Sequence, residues 1–409
     1  MHDQSNPNRA SRPRSTRSIC RPSLLVPGPR PLASGPSLFP RAFTLIELMV
    51  VMAIMAILAA AMAIAVSGAQ ESAQIAKTRS LIARLNALVM QKYESYATRR
   101  LPVTIPSEVI DPSGSLVQMP SAVSRKVRCD VLRQMMRMEM PDRWRDIIDD
   151  AVPIKMEDVT SPTRPAYTDP TTNSQTIQMQ RSASSQAYLA SHNSVQNTPA
   201  FIKLGANYQG AKCLYLLVTM GLEEPSVLEN FSEGDIADFD HSGCKVFIDA
   251  WGNPINFLRW APGLVSPLQP PTPTSAATKD QRMPDQTDPT GVYGTPRFDS
   301  SAVNGIPRTE PPAPAVTNWD TFALYPLVYS AGPDGHYDIV PDMTNASGSV
   351  LQYSRTSPPN NPFASIDQLT TNKFPDGPIG APAIFPKTDR GSRALGSFDN
   401  IHSHSMGAR

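Results

Sequence analysis

From Phe43 to Val66 the chain runs 24 residues with Thr44 and Glu47 as its only polar positions. At 1.5 Å per residue such a run makes a helix about 36 Å long, enough for one tilted crossing of a hydrocarbon layer about 30 Å thick. It is too long for the apolar core of a secretory signal, roughly 7–15 residues. From Gln70 to Tyr96 the apolar positions thin to a stripe. Ile75, Ile82, Leu85, Leu88, Val89, Tyr93 and Tyr96 recur at helical spacing, with Lys77, Arg79, Arg84, Gln91 and Glu94 largely off it, as in an amphipathic helix. Leu101-Pro102 and Ile105-Pro106 end it by removing donors and forcing extended backbone. The pattern therefore predicts one helix from Phe43 to about Arg99, roughly 85 Å long, with Gly68 as a candidate kink.

Downstream the pattern is weaker. Val131 to Asp149 is charged and Met-rich (Met135, Met136, Met138, Met140, with Trp144, Ile147 and Ile148) and predicts a short helix up to Pro141, resuming beyond it. Such methionines pack irregular cores; soft copper is the competing use. Residues 161–197 read as loop plus one weak helix. Lys212 to Val218 is a buried run that periodicity assigns neither to helix nor to strand. Lys245–Asp249 and Pro254–Trp260 read as strands joined by the turn residues Ala250-Trp251-Gly252-Asn253. Tyr325–Ser330 is a third strand, with Pro326 favouring an edge.

Composition shifts mark the divisions. There are 42 prolines against 40% hydrophobic residues, which points to one packed head with long irregular insertions. The divisions expected are a leader (1–42), a transmembrane helix (43–66), its amphipathic continuation (67–100), an irregular insertion with short helices (101–200) and a head sheet (201–350). A Pro-rich insertion (261–320) lies inside the head, and a low-complexity tail (351–409) follows, in which His402 and His404 read as isolated residues of a disordered end. The net charge of +1 hides two unlike parts. Residues 1–42 hold seven arginines against Asp3 alone; the remainder is net acidic, which argues against nucleic-acid binding. Arginines before the apolar run place the N-terminus in the cytoplasm and the C-terminus outside, in a single-pass topology.

A carboxylate at membrane depth costs about 2.5–3.5 kcal/mol on insertion scales and marks a functional site by default, although one near the cytoplasmic edge can also snorkel. Ala42-Phe43-Thr44-Leu45-Ile46-Glu47-Leu48 followed by a long apolar run resembles the processing site of type IV prepilins and type II secretion pseudopilins. That resemblance implies an α+β, type IV pilin-like fold, with the long N-terminal helix packed on a small antiparallel sheet. It implies cleavage between Ala42 and Phe43 by an inner-membrane prepilin peptidase, N-methylation of Phe43, and filament assembly guided by Glu47, whose carboxylate would meet the new amine of a neighbouring copy. The partners implied are the peptidase/methyltransferase, other copies, other pseudopilins and an inner-membrane assembly platform. The family usually has Gly before the cut, where this chain has Ala42, and the leader is longer than usual, which fits a later start codon. Asp249-Ala250-Trp251-Gly252-Asn253-Pro254 and Ser330-Ala331-Gly332-Pro333-Asp334-Gly335 resemble the D-x-W-G-N-P and S-x-G-x-D-G stretches of the major pseudopilin. In that family the C-terminal loop holds calcium, which makes Asp334, Asp338 and Asp342 candidate ligands; the alternative is that Asp334-Gly335 is only a turn.

Cys20 would leave with the leader. Cys129, Cys213 and Cys244 would face an oxidising compartment, where Cys213 and Cys244 are the candidate disulfide, worth about 2–4 kcal/mol. No phosphate-cradling loop, zinc helix or nucleophile elbow is present in the sequence, so a non-enzymatic role is expected. The rival expectation is a single-pass, membrane-tethered extracytoplasmic binding protein with no filament role.

Overall fold

The computed structural model describes residues 44–270 except 160, 162, 206, 207, 223 and 224. Beyond these it describes 283, 285–288, 292, 302–303, 306–307, 322–337, 339, 343–344, 350–351 and 400–405. The chain divides into two compact units, Met1–Ile64 and Ala65–Arg409.

In the first unit the described residues are Thr44 and the opening of helix α1 (Leu45–Ser95). Its large apolar side chains are open to the surroundings, from Leu45 at 77% exposed to Ile64 at 75%, as suits a segment whose solvent is lipid.

In the second unit α1 runs unbroken through Gly68, and its apolar stripe goes into the core. Thr78, Leu81, Ile82, Leu85, Val89 and Tyr93 are buried, and Tyr96 continues the stripe just beyond the helix. The strands β1 (Glu108–Ile110) and β2 (Leu116–Gln118) form an antiparallel hairpin. Helix α2 (Ser121–Glu139) follows, then α3 (Trp144–Ile148). The expected short helix therefore begins ten residues earlier than Val131. Val123, Val127, Val131 and Met135 lie at four-residue intervals and are all buried. Lys126, Asp130, Arg133 and Arg137 between them masked that stripe, yet they too are buried. The methionines take the packing role, with Met135, Met136, Met138 and Met140 in the same apolar cluster as the α1 stripe.

The short antiparallel pair β3 (Ile154–Lys155) and β4 (Thr176–Ile177) comes next, followed by α4 (Ala183–Val195) and α5 (Pro199–Leu204), whose starts are capped by Ser182 and Thr198. The ambiguous run becomes α6 (Gln209–Leu216), extended by a π-helical turn over Leu217–Gly221. A Cβ on Gly221 would meet the Tyr188 hydroxyl, which explains a glycine there.

Strand β5 (Ile236–Ala237) pairs antiparallel with β6 (Val246–Phe247). The turn after β6 returns the chain through an Ile248–Pro254 bridge into β7 (Asn256–Leu258). Two further two-residue pairs form, β8 (Ala302–Val303) with β9 (Ile306–Pro307) and β11 (Met343–Thr344) with β12 (Val350–Leu351), and β10 (Leu327–Ser330) lies between them in chain order. The main sheet is three-stranded and antiparallel, in the order β13-β10-β7, where β13 is Ile401–His402.

Two sequence expectations change here. The third strand is central rather than an edge. Pro326 lies just before Leu327, so the strand's ladder begins after the residue that lacks an N–H, and both flanks are paired, Val328 with Phe257 and Tyr329 with His402. The C-terminal end is also not wholly a disordered tail, because residues 400–405 complete the sheet and His404 is 1% exposed. The remainder is the α+β arrangement expected from the sequence: a long N-terminal apolar helix with small antiparallel sheets.

Candidate functional site

Thr44 is the residue before the first turn of α1, and Glu47 stands three residues on. The Thr44 N–H and Oγ1–H both donate to Glu47 Oε2 at 2.9 Å, and the Glu47 N–H donates to Thr44 Oγ1 at 3.2 Å. This is a reciprocal capping box, which satisfies donors that the first turn of any helix leaves open. T-x-x-E was legible in the sequence as that signal, but Glu47 was read there as an assembly carboxylate or a snorkelling one, and not as a cap. Its role in capping bears on function. In lipid, an unsatisfied N–H is expensive, and the box places the carboxylate at the positive end of the helix dipole. Ala42 and Phe43 lie outside the described residues.

In the head, the two sequence motifs meet. Asp249 Oδ1 accepts from the N–H groups of Trp251 (2.9 Å) and Asn253 (2.8 Å), closing the tight turn. Gly252 occupies it at φ +89°, a conformation that suits glycine. The other oxygen, Asp249 Oδ2, accepts from Ser330 Oγ at 2.6 Å, and Ser330 Oγ accepts from the Gly332 N–H at 3.0 Å. Asn253 Nδ2 donates to the Gly332 carbonyl at 3.1 Å. Asp249 and Asn253 of one stretch and Ser330 and Gly332 of the other thus form one hydrogen-bonded lock, with Asp249 and Ser330 81 residues apart. It is tied to α1 through the Ala250 N–H, which donates to the buried Thr78 hydroxyl at 3.1 Å.

Of the candidate calcium ligands, Asp334 is described and its Oδ1 accepts from the His336 N–H at 2.8 Å, the bond of a turn. Asp338 and Asp342 lie outside the described residues. Among the described residues no group of three or more metal-ligating side chains converges. Cys129, Cys213 and Cys244 are free thiols. Cys213 and Cys244 share one apolar cluster with Trp144, Ile147 and Tyr188, but the expected bridge between them is not formed. Burial pushes the Cys213 thiol well above its ordinary value, which disfavours the reactive thiolate.

Sequence reasoning missed a buried charge network at the corner between α2 and α3. Arg259, fully buried just after β7, donates through Nη1 to Asp146 Oδ2 (2.8 Å) and the Met140 carbonyl (2.9 Å). Its own N–H donates to Asp142 Oδ2 at 3.1 Å, and its guanidinium stacks 4.5 Å from the Trp260 ring. Burial pushes Asp142 up to about 6 against the pull of Arg259 and Arg143. For Asp146 burial acts the same way, but Arg259 and Arg137 outweigh it and hold the carboxyl below its usual range. A second ionic knot joins α1 to α2: Glu139 takes Lys92 at 3.3 Å, Arg99, and the Tyr96 hydroxyl at 2.9 Å. The signal available in the sequence was the density of both charge signs in a Met-rich segment, which surface helices rarely combine.

Residues 40–63 match the family described as the prokaryotic N-terminal methylation motif. The chain carries a prepilin-type processing motif. The match supports the type IV pilin and pseudopilin family, with processing by prepilin peptidase and assembly with other pilin subunits. The methylation motif contains Ala42, Phe43 and Glu47, and its capping box is the part of it that the structure describes. No curated protein and no solved structure matches the chain.

Proposed function

We propose that the chain is a structural subunit of a type II secretion pseudopilus or type IV pilus-like filament, most like a major pseudopilin. The observation that carries this is the methylation motif at 40–63 fused to a membrane-length apolar helix that opens on the Thr44–Glu47 box. In this reading the leader is removed between Ala42 and Phe43 on the cytoplasmic side, the Phe43 amine is methylated, and the head stands outside the inner membrane. The amine of one copy then meets Glu47 of the next, so that the carboxylate gains a counter-charge in the assembled state beyond its bonds to Thr44. The helices form the shaft and the heads the surface. The lock between Asp249 and Ser330 supports the narrower pseudopilin reading, because it gives both head motifs a shared structural purpose. No catalytic role and no nucleic acid enter the account, and calcium at Asp334, Asp338 and Asp342 stays a proposal of the resemblance.

One observation favours the alternative of a membrane-tethered extracytoplasmic binding protein: a cleft of about 1170 Å³ lined by Arg99, Arg100, Met135, Glu139 and Arg181 among others. Glu47→Val separates the two. For a filament subunit the variant inserts and loses its leader normally but is absent from, or disordered in, sheared filaments. Normal incorporation of Glu47→Val would remove the basis of the assembly step.

A further inference from the structure

Lys126 lies one turn ahead of Asp130 on α2. Its Nζ is 2.9 Å from Asp130 Oδ2 and 3.7 Å from Glu157 Oε1, and it donates to the Lys155 carbonyl at 2.7 Å. The Lys126 and Asp130 side chains are 1% and 0% exposed and that of Glu157 is 16% exposed, beside the wholly buried Val127, Ile154 and Met156. One amine is thus held between two carboxyl groups, with itself and Asp130 buried.

We propose that Lys126 and Asp130 condense into a side-chain amide, with Glu157 carrying the second proton. One ammonium proton passes across the 2.9 Å contact to the Asp130 carboxylate, leaving an amine beside a carboxylic acid. The Nζ lone pair forms the bond to Asp130 Cγ. Glu157 then takes a proton from the nitrogen and returns it to the departing oxygen, the Cγ–O bond breaks, and water leaves. The ion pair minus one water is the amide; Glu157 is unchanged and no outside reagent is consumed. The remaining amide N–H keeps its hydrogen bond to the Lys155 carbonyl. Burying an ion pair is costly, whereas the amide is neutral and still bonded. An amine held 2.9 Å from an oxygen of its target carboxyl group also gains a high effective concentration. The product is a covalent staple across one turn of the helix that carries the Met-rich core.

The test is tryptic mapping by tandem mass spectrometry of the full-length protein extracted from membranes. The expected result is a branched peptide joining Lys126 to Asp130, lighter by one water than its linear parts, with no cleavage after Lys126. Glu157→Gln should yield the linear peptides. Linear wild-type peptides carrying an unmodified Asp130, or a link from Lys126 to Glu157 instead, would overturn the assignment. The wild-type map is decisive even if the variant folds poorly.

Discussion

Arg259→Met removes a cation that spans both acids of the α2–α3 corner while keeping about the same volume against Trp260. The variant loses bonds of 2.8 Å to Asp146 and 2.9 Å to the Met140 carbonyl, and leaves the two carboxylates to Arg143 at 3.6 Å and Arg137 at 4.0 Å. Deleting one partner of a buried ion pair costs about 3–5 kcal/mol. Because two cations remain nearby, the lower end applies, about 3 kcal/mol, a large part of the typical stability of a domain, about 5–15 kcal/mol. Urea unfolding of the detergent-solubilised protein, followed by tryptophan fluorescence, reads it as a lower midpoint with an unchanged slope. The pH dependence sharpens the test. Arg259 lowers both carboxyls in the folded state, so its removal shifts both upward. The folded variant then binds more protons than the folded wild type at the same pH, so its deficit shrinks as pH falls. A loss below about 1 kcal/mol, or a deficit that grows on acidification, would refute the reasoning.

Two further outcomes follow from the head. His404 is held neutral, with Nδ1 accepting from Ser266 Oγ and Nε2–H donating to the Pro326 carbonyl, each at 3.1 Å, and burial lowers its pKa from 6.5 to about 4. The folded state binds fewer protons, so stability present above pH 6.5 is lost as pH falls toward 4, by about 3 kcal/mol in all. His404→Gln should remove one proton's worth of that slope in a pH series of denaturation curves; the slope left by His402, which burial also lowers, has the same sign. Asp249→Ala should cost about 2–4 kcal/mol by opening the turn and orphaning Ser330, and hydrogen exchange should rise at Trp251, Asn253 and Gly332 while α4 is unaffected.

The anchor was legible because lipid imposes an unmistakable pattern: a run of membrane length broken by two polar residues. The stripe on α1 was legible for the same reason, although it left out the buried Leu81 and also Thr78, whose hydroxyl, accepting from one backbone N–H, has no periodic signature. Helix α2 was not, because its buried Lys126, Asp130, Arg133 and Arg137 look like a solvated face until their partners are known. Asp285, which takes Arg133 at 2.8 Å, lies in a stretch that composition assigns to a Pro-rich surface insertion. Strand β13 was missed because its support is long-range. Ile401 and His402 gain a partner only where β10, some 70 residues earlier, offers an open flank. The two head motifs were found as strings, but their meaning is a contact between Asp249 and Ser330 that no local reading supplies.

The central claim is that Glu47 meets an amine created by cleavage. It is tested most directly by the N-terminal mass of the mature protein extracted from membranes. The account predicts a chain that begins at N-methylated Phe43; a chain that still carries the arginine-rich residues before Ala42 would contradict it.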